Sequence, residues 1–500
     1  MAKALMIQGT GSGAGKSLIV AALCRIFKDM GINIAPFKAQ NMALNSFITR
    51  DGGEIGRAQA LQAEAARIEP SIDMNPVLLK ASGERGCQVI VHGKVFGHYE
   101  AKKYYSLKES LWPYVKDSFD RLSEEYDLII IEGAGSPAEI NLMDSDIVNM
   151  RMAKYAKAPV LIVGDIDRGG VFASLYGTVR LLGRDSRYIK GFIINKFRGD
   201  IEILNPGLEM IREKTGKPVI GILPYIKDIG LPEEDGLALQ KISIQSSAFS
   251  PQPSVKLVVV RLQYISNFTD FDPFIYEPDV ELVYSNNPSD IENADIIIVP
   301  GTKNTVKDLL FLKERRLDDS IKRAYEKGIH IIGICGGYQI LGKKIYDPCC
   351  VESSQKEIDG IGLLNIKTVF EKTKITAQVE AEIADSSWLM AQSYKPLKGY
   401  EIHMGMSTGD IGLFRIKRNG KGEVFDGTIN SNCWGTYLHG IFENDEFRRA
   451  VINAARKNKN LAPIALKVRY AEIKDRGINA LADVIRKNID MDFIKRITAL

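Results

Sequence analysis

Short apolar runs alternate with amphipathic stretches along the first half of the chain. Several runs are apolar at nearly every position, which is typical of strands buried on both faces of a sheet. The strand candidates are Ala4–Gln8, Ile32–Lys38, Asp127–Glu132, Pro159–Gly164, Gly191–Lys196 and Pro218–Leu223. The helix candidates between them are Lys16–Met30, Glu54–Ile68 and Val171–Leu182. This alternation predicts a doubly wound α/β unit with a mostly parallel sheet.

A segment rich in Ser and Pro, residues 246–254, interrupts the alternation and has the composition of a linker. A second α/β pattern follows it, and the chain becomes β-rich after about residue 360. The strand candidates of this second pattern are Val255–Leu262, Asp295–Pro300 and His330–Ile334. We therefore predict two doubly wound units, over residues 1–245 and 255–445. The helical segment 446–500 is either a small cap or part of the second unit.

Composition narrows the class of protein. A chain of 500 residues is too long for one hydrophobic core, and 45% hydrophobic and 26% charged residues are ordinary for a soluble protein. The net charge of +4 comes without a dense Lys/Arg tract, which argues against a nucleic-acid partner. No apolar run approaches the roughly 18 residues of a membrane span, and no signal peptide precedes the first glycines. Six cysteines without a Cys-x-x-Cys pair indicate a reducing cytoplasm, and the oligomeric state stays open.

A glycine-rich loop directly follows the first predicted strand. The standard phosphate-binding loop has four residues between its first Gly and Gly-Lys-Ser/Thr, whereas this loop has five. Backbone amides and a helix N-terminus can still hold phosphates, with Lys16 as counter-charge and Ser17 as a Mg²⁺ ligand. We predict an ATP site here, and the alternative is a turn without a ligand. The loop residues are Gly9, Thr10, Gly11, Ser12, Gly13, Ala14, Gly15, Lys16 and Ser17.

Polar residues at neighbouring strand ends could complete this site. Glu132 ends a buried strand at the edge where ligands bind in parallel sheets, and we interpret it as a second Mg²⁺ ligand. The alternative is that it caps the following helix or pairs with a basic residue. Asp165 and Asp167 end another strand. For them, metal binding is as good an interpretation as the alternative, which is capping of the following helix or pairing with basic residues. Asn195 could hydrogen-bond the edge of the ATP purine, or it could cap a turn.

The loop after the second strand is rich in amides. Its candidate substrate-binding residues are Lys38, Gln40, Asn41 and Asn45. Beside a phosphate site, such a loop could bind a polar substrate, or its Asn side chains could satisfy the backbone of a turn. Spacing alone leaves the two interpretations open.

One cysteine lies at a strand-to-helix turn. Cys335 directly follows a predicted strand, and Gly333 and Gly337 stand two residues before and after it. This is the nucleophile-elbow pattern with sulfur in place of oxygen, and the N-terminus of the following helix favours the thiolate. Acyl chemistry also needs an oxyanion hole, for which we predict the backbone amides of Gly336 and Gly301.

A thiol nucleophile needs a base, and the chain has five histidines. His439 ends a β-type run next to Gly440, and His403 lies in a similar run. His403 could instead line a substrate pocket or be a satisfied strand histidine. We choose His439 as the base, mainly on the resemblance described next.

The combined motifs resemble a known family over nearly the whole chain. The Cys335 elbow, followed about a hundred residues later by Tyr-Leu-His439-Gly, resembles a class I glutamine amidotransferase domain. The lengthened glycine loop and the strand end Glu132-Gly-Ala-Gly resemble the P-loop domain of the dethiobiotin synthetase group. The two domains in this order resemble the corrinoid amidases. The segments that resemble one branch of that family are 38–46, 164–170 and 195–200.

The resemblance implies a mechanism and a substrate. Cys335 would attack the side-chain amide of L-glutamine while His439 moves the proton. ATP and Mg²⁺ would activate a carboxylate, which the released ammonia converts to an amide. In the branch with those segments the acceptor is a corrinoid, adenosylcobyrinic acid a,c-diamide, amidated at its b, d, e and g propionates during cobalamin biosynthesis.

One departure from the amidotransferase pattern concerns the third member of a catalytic triad. Many class I amidotransferases have a Glu two residues after the catalytic His, whereas this chain has Ile441, and the nearest Glu is Glu443. The group that orients His439 therefore stays open.

Two other functions compete with this one. The first is the family member that makes the a,c-diamide one stage earlier, whose segment corresponding to residues 38–46 is different. The second is a P-loop partitioning or switch ATPase. Such ATPases often have a second Lys early in the loop, where this chain has Gly11, and they do not need Cys335.

Overall fold

The computed structural model describes residues 2–81, 86–226, 229–231, 254–385, 396–419 and 422–500. The predicted boundary at residue 245, and the predicted linker 246–254 except its last residue, lie outside these ranges. Within them, no helix combines the length and the apolar character that crossing a membrane requires.

The first unit contains the predicted parallel sheet. Its strand order is β12-β11-β10-β1-β9-β2, and all neighbouring pairs are parallel. The strands of this unit are β1 (Lys3–Gly9), β2 (Ile34–Phe37), β3 (Gln40–Met42), β4 (Ser46–Ile48), β5 (Glu54–Gly56), β6 (Val77–Ala81), β7 (Gly86–Val91), β8 (Lys94–Glu100), β9 (Leu128–Glu132), β10 (Val160–Asp165), β11 (Ile189–Phe197) and β12 (Val219–Pro224). The helices are α1 (Lys16–Asp29), α2 (Arg57–Ala65), α3 (Ala101–Glu125), α4 (Met150–Tyr155), α5 (Val171–Leu181) and α6 (Ile201–Thr215), with 3-10 helices at Ile72–Met74, Met143–Ser145 and Gly183–Tyr188.

Both faces of this sheet are buried, as its apolar strands require. Successive residues of β1 enter two separate cores: Leu5 and Ile7 pack with α1, and Ala4 and Met6 pack on the opposite face. The doubly wound α/β fold predicted for this unit is confirmed.

A second, smaller sheet was not predicted. It has the order β3-β6-β7-β8, and the hairpin β4–β5 lies beside it as a separate pair. Helix α2 begins at Arg57 rather than at Glu54, because residues 54–56 pair with residues 46–48 as β5. The predicted helix Glu54–Ile68 therefore begins three residues too early.

The second unit also has a parallel sheet, in the order β14-β13-β15-β16-β24-β23, in which only the last pair is antiparallel. A further sheet, β18-β17-β19-β21-β22 with β20 paired to β19, forms the predicted β-rich part. The strands are β13 (Val255–Val260), β14 (Val280–Ser285), β15 (Ile296–Val299), β16 (His330–Ile334), β17 (Lys344–Tyr346), β18 (Glu357–Asp359), β19 (Ile366–Ile383), β20 (Leu397–Gly409), β21 (Phe414–Arg418), β22 (Glu423–Asp426), β23 (Thr428–Asn430) and β24 (Cys433–Thr436). The helices are α7 (Pro288–Glu292), α8 (Thr305–Glu314), α9 (Leu317–Glu326) and α10 (Gly336–Leu341), with 3-10 helices at Phe268–Tyr276 and Ile441–Glu443.

The C-terminal segment packs on both units. Its helices are α11 (Asp445–Asn458), α12 (Tyr470–Asn488) and α13 (Met491–Thr498). Helix α11 joins the second unit, where Arg448 donates to buried Glu277 at 2.7 Å. Helix α12 instead packs on α1 of the first unit, and Ile478 and Ile485 enter its core. The segment therefore ties the two units together.

The topology places both candidate sites at the carboxyl ends of central strands, where parallel sheets bind ligands. The glycine-rich loop follows β1, between β10 and β9. Cys335 follows β16, between β15 and β24, so the loops after those two strands flank it. Gly301 lies in the first of these loops and His439 in the second.

Candidate active sites

The turn at Cys335 has the strained geometry of a nucleophile elbow. Cys335 has φ 51° and ψ −108°, a backbone conformation that non-glycine residues rarely adopt. A Cβ on Gly337 would lie 1.8 Å from the carbonyl oxygen of Val299, so only glycine fits there. The thiol is 8% exposed and donates to the carbonyl of Ile402 at 3.6 Å. The chain thus fixes this sulfur at the end of β16 by the close packing of the backbone and by the hydrogen bond to Ile402.

His439 lies beside Cys335 and is oriented by a residue that the sequence analysis missed. Its Nδ1–H donates to Asp270 Oδ2 at 2.6 Å, and the amide of Gly440 donates to Asp270 Oδ1 at 3.1 Å. Burial alone would lower the pKa of His439, but the charges of Asp270 and of the Cys335 sulfur, and the hydrogen bonds to both, raise it to about 10. Cys335, His439 and Asp270 therefore form a Cys-His-Asp arrangement in which the imidazolium is the favoured form.

His403, the alternative base, and Glu443, the glutamate nearest to His439 in the sequence, both contact other groups. The two ring nitrogens of His403 lie 2.7 Å from the carbonyl oxygen of Gly405 and 3.4 Å from Glu401. Glu443 pairs with Arg57 at 2.6 Å and with Lys474 at 3.1 Å, so it serves the contact between the units and not His439. The geometry favours His439 as the base over His403.

The two predicted oxyanion-hole residues both lie at the elbow. A Cβ on Gly301 would come within 3.0 Å of His439 Cε1, and a Cβ on Gly336 would come within 3.1 Å of the Thr302 nitrogen. The Gly301–Thr302 loop therefore packs directly against the first turn of α10. The role of the two amides stays a prediction that this proximity supports.

The glycine-rich loop brings the predicted phosphate and metal residues together. Lys16 Nζ bridges the carbonyls of Gly11 at 2.9 Å and Gly135 at 3.3 Å. Ser17 Oγ donates to Glu132 Oε1 at 2.7 Å, at the end of β9. Lys38 Nζ donates to the same oxygen at 2.8 Å. Burial raises the pKa of Glu132, but Lys38, Gln62 and Ser17 together hold it below its ordinary value, so Glu132 is a carboxylate.

The other polar residues at the strand ends contact the glycine-rich loop or pair with basic side chains. Asn195 Nδ2 donates to the carbonyl of Ala14 at 2.8 Å, and its part in purine binding stays a prediction. Asp165 pairs with Lys196 at 2.7 Å, and Asp167 pairs with Arg198 at 3.2 Å. Of the two interpretations left open for these aspartates, the structure shows the ion pairs.

A cavity of about 910 Å³ opens over the loop. Lys38, Gln40 and Asn41 of the candidate substrate loop line it, together with Lys16 and Glu132. Part of the remaining wall comes from α12 of the C-terminal segment and from the Phe268–Tyr276 3-10 helix of the second unit, and the rest comes from the first unit. Asn45 does not share this position. It lies 1% exposed in the turn before β4, where its Oδ1 accepts from the amide of Phe268 at 3.1 Å.

Comparison with known proteins assigns both units. Residues 5–239 match the CobQ/CobB/MinD/ParA nucleotide binding domain, and residues 256–447 match the CobB/CobQ-like glutamine amidotransferase domain. The chain is 52% identical to a cobyric acid synthase of Thermodesulfovibrio yellowstonii over 100% of both chains. The chain belongs to the cobyric acid synthase family.

Two further relatives named cobyric acid synthase also match the chain over nearly its whole length. The identity is 52% for that of Thermoanaerobacter sp., over 98% of both chains, and 49% for that of Clostridium tetani, over 99% of both chains. Asp270 explains how this member of the cobyric acid synthase family can carry Ile441 where many amidotransferases have Glu, because a carboxylate reaches His439 from the Phe268–Tyr276 3-10 helix. The pattern that could have revealed it is the pair of aspartates inside the phenylalanine-rich stretch 268–274.

Proposed function

We propose that this chain catalyses the reaction of its family, the glutamine- and ATP-dependent amidation of adenosylcobyrinic acid a,c-diamide to adenosylcobyric acid. The b, d, e and g propionate carboxylates become amides, in cobalamin biosynthesis. The observation that carries the proposal is the full-length similarity to cobyric acid synthases in a chain that holds both sites the reaction needs. One site can release ammonia, and the other can activate a carboxylate.

The Cys335 site performs the glutaminase half of the reaction. The Cys335 thiolate attacks the side-chain carbonyl carbon of glutamine, and the amides of Gly336 and Gly301 stabilise the oxyanion. The His439 imidazolium gives its proton to the leaving nitrogen, so ammonia departs and a thioester remains. His439 then takes a proton from water, which attacks the thioester and releases glutamate. Asp270 holds the imidazole with Nε2 toward the sulfur throughout.

The glycine-rich loop performs the synthetase half. Backbone amides and Lys16 hold the ATP phosphates, and a substrate carboxylate attacks the γ-phosphorus with ADP as the leaving group. Ammonia attacks the resulting acyl phosphate, and inorganic phosphate leaves. The oxygen donors Ser17 and Glu132 suit Mg²⁺, which keeps several water and phosphate ligands when bound and neutralises phosphate charge. Lys38, which contacts Glu132, lies where its positive charge can balance the negative charge of the substrate carboxylate.

The cavity fits a large acceptor. Its volume of about 910 Å³ lies near the upper end of the range of roughly 300–1,000 Å³ for small-molecule sites. Lys38, Gln40 and Asn41 offer a cation and amides beside the phosphate loop, and these groups suit a carboxylate and neighbouring amide side chains of a corrinoid.

Substrate choice tests the proposal. Purified protein with ATP, Mg²⁺ and glutamine is incubated in parallel with cobyrinic acid and with its a,c-diamide, and the products are separated by mass. We expect turnover of the a,c-diamide. Turnover of cobyrinic acid alone would assign the earlier step of the family instead, and ATP hydrolysis without any corrinoid product would favour a switch ATPase.

A further inference from the structure

The turn at Ser46 reaches across from the synthetase unit to the glutaminase base. Its backbone amide donates to Asn267 Oδ1 at 2.8 Å, and its carbonyl accepts from the Tyr400 hydroxyl at 3.2 Å. Both partners lie against His439. The Tyr400 ring stacks on the imidazole with centroids 5.3 Å apart, and Asn267 Nδ2 lies 3.5 Å from both imidazole nitrogens.

The same turn is fixed to the element that carries Asp270. The amide of Phe268 donates to Asn45 Oδ1 at 3.1 Å, at the start of the Phe268–Tyr276 3-10 helix. Asp270 of this helix holds His439, while Phe268 and Tyr276 line the synthetase cavity. One short helix therefore touches both sites.

The other end of the connection also reaches the synthetase cavity. Gln40, Asn41 and Met42 form β3 and line the cavity, and Asn45 and Ser46 follow after only two further residues. Ligand contact with β3 can therefore displace the Ser46 backbone, because so short a connection leaves little slack.

An unsatisfied donor marks the junction. Asn45 Nδ2 is buried, and no acceptor lies within hydrogen-bond distance of it in the part of the chain that the structure describes. Buried donors without partners are rare, and stored strain that a rearrangement can relieve is one of the reasons for which proteins keep them. The junction is thus suited to having two arrangements.

We propose that Asn45 and Ser46 are positioning residues for the glutaminase reaction: they hold Asn267, Tyr400 and the Asp270 helix around His439. Binding of ATP and the acceptor at β3 moves this turn to the arrangement that aligns His439, so glutamine is hydrolysed fastest when ammonia can be used. The part that concerns the acceptor rests on the proposed function.

Tyr400→Phe tests the connection with a matched control. The variant keeps the ring on His439 and removes only the hydroxyl that donates to Ser46. Thr376→Val removes a different hydrogen bond between the units, from Thr376 Oγ1 to the Gly52 carbonyl at 2.7 Å, which ends on the same β4–β5 hairpin but does not involve His439. Steady-state glutaminase kinetics are measured for wild type and both variants, with and without ATP, Mg²⁺ and the a,c-diamide.

The proposal expects the wild-type glutaminase kcat to rise when ATP and the a,c-diamide are present. In Tyr400→Phe that stimulated kcat falls about tenfold while the KM for glutamine stays nearly constant, because a misaligned base slows chemistry rather than binding. Thr376→Val keeps the wild-type values. Equal kcat losses in the two variants, a loss confined to KM, or an unstimulated wild type would overturn the proposal.

Amidation with ammonium salts, measured on the same samples, separates this proposal from the function. A wild type that makes no amide from ammonium, ATP and the a,c-diamide contradicts the function itself. A wild type that makes the amide but shows no stimulation of its glutaminase contradicts only the coupling through Ser46.

Discussion

The two active sites differ in how closed and how complete they are. Cys335, His439 and Asp270 are 8%, 1% and 5% exposed, and their hydrogen bonds are already in place. The phosphate loop instead opens into a cavity of about 910 Å³, whose wall draws on both units and on the C-terminal helix α12. A site that always accepts the same small amide can be small and closed. A site that must present four side chains of one large molecule to the same phosphate needs room.

The two sites also differ in what would disable them. The closed site depends on single atoms, so one substitution there should stop glutamine use and spare the use of ammonia. The open site serves both nitrogen donors, so damage there should stop all amidation and spare only the unstimulated hydrolysis of glutamine.

Removal of the nucleophile should have the largest effect. In Cys335→Ala, we expect glutamine hydrolysis to fall by at least about 10⁴-fold, because no other described group can form the thioester. Release of glutamate from glutamine measures it. The matched control is Cys433→Ala, at a buried cysteine of the neighbouring strand β24, which should keep full glutaminase activity.

Loss of the phosphate-loop cation should come next. In Lys16→Ala, amidation with either glutamine or ammonium should fall about 10³-fold, because the lysine of the loop neutralises the charge of the transferred phosphoryl group. Glutamate release without acceptor should persist in this variant. Amide formation from ammonium at the wild-type rate would remove Lys16 from the mechanism.

A smaller effect is expected for the third member of the triad. Asp270→Asn should lower the glutaminase kcat about 10²-fold, less than loss of the thiol because Tyr400 still holds the ring. The pKa of His439 is raised to about 10 by Asp270 and Cys335 against the effect of burial. Without the carboxylate that pKa falls, so the alkaline limb of the kcat/KM profile should move to lower pH. An unchanged alkaline limb would show that Asp270 does not support the imidazolium.

The smallest effect should come from the contact between the units. Burial would raise the pKa of Glu443, but Lys474 and Arg57 hold it down at about 2. A depressed carboxylate pKa stabilises the fold above the unfolded value of about 4.3, and that stability is lost as pH falls toward 2.

At pH 7, Glu443→Gln should therefore unfold more easily by about 2–3 kcal/mol. Its difference from wild type should vanish as the pH approaches 2. Chemical denaturation followed at several pH values measures both. A difference that stays constant with pH would mean that the effect of Glu443 is not electrostatic.

Sequence patterns predicted the features that a few consecutive residues define. The glycine loop with Lys16 and Ser17, and Cys335 between its two glycines, are recognisable because each function lies in one continuous stretch. The two parallel sheets follow for the same reason, since buried strands are apolar at every position.

The features that the sequence analysis did not predict depend on contacts between residues that are far apart in the chain. Asp270 meets His439 across 169 residues of chain, and no spacing rule connects them. Asn45 was grouped with the candidate substrate residues of its loop, yet its side chain accepts a hydrogen bond from Phe268 of the second unit. The small sheet of β3, β6, β7 and β8 was missed because β3 is very short and β8 is largely exposed, so neither has the apolar run of a buried strand, and the strand partners are fixed only in three dimensions.

The most direct test of the division of labour follows the nitrogen. Protein, ATP, Mg²⁺ and the a,c-diamide are mixed with glutamine that carries a heavy nitrogen in its side-chain amide and with unlabelled ammonium, and the corrinoid product is analysed by mass. We predict four new amides, rich in heavy nitrogen for the wild type and free of it for Cys335→Ala. Heavy nitrogen in the Cys335→Ala product, or fewer than four new amides from the wild type at completion, would contradict the account.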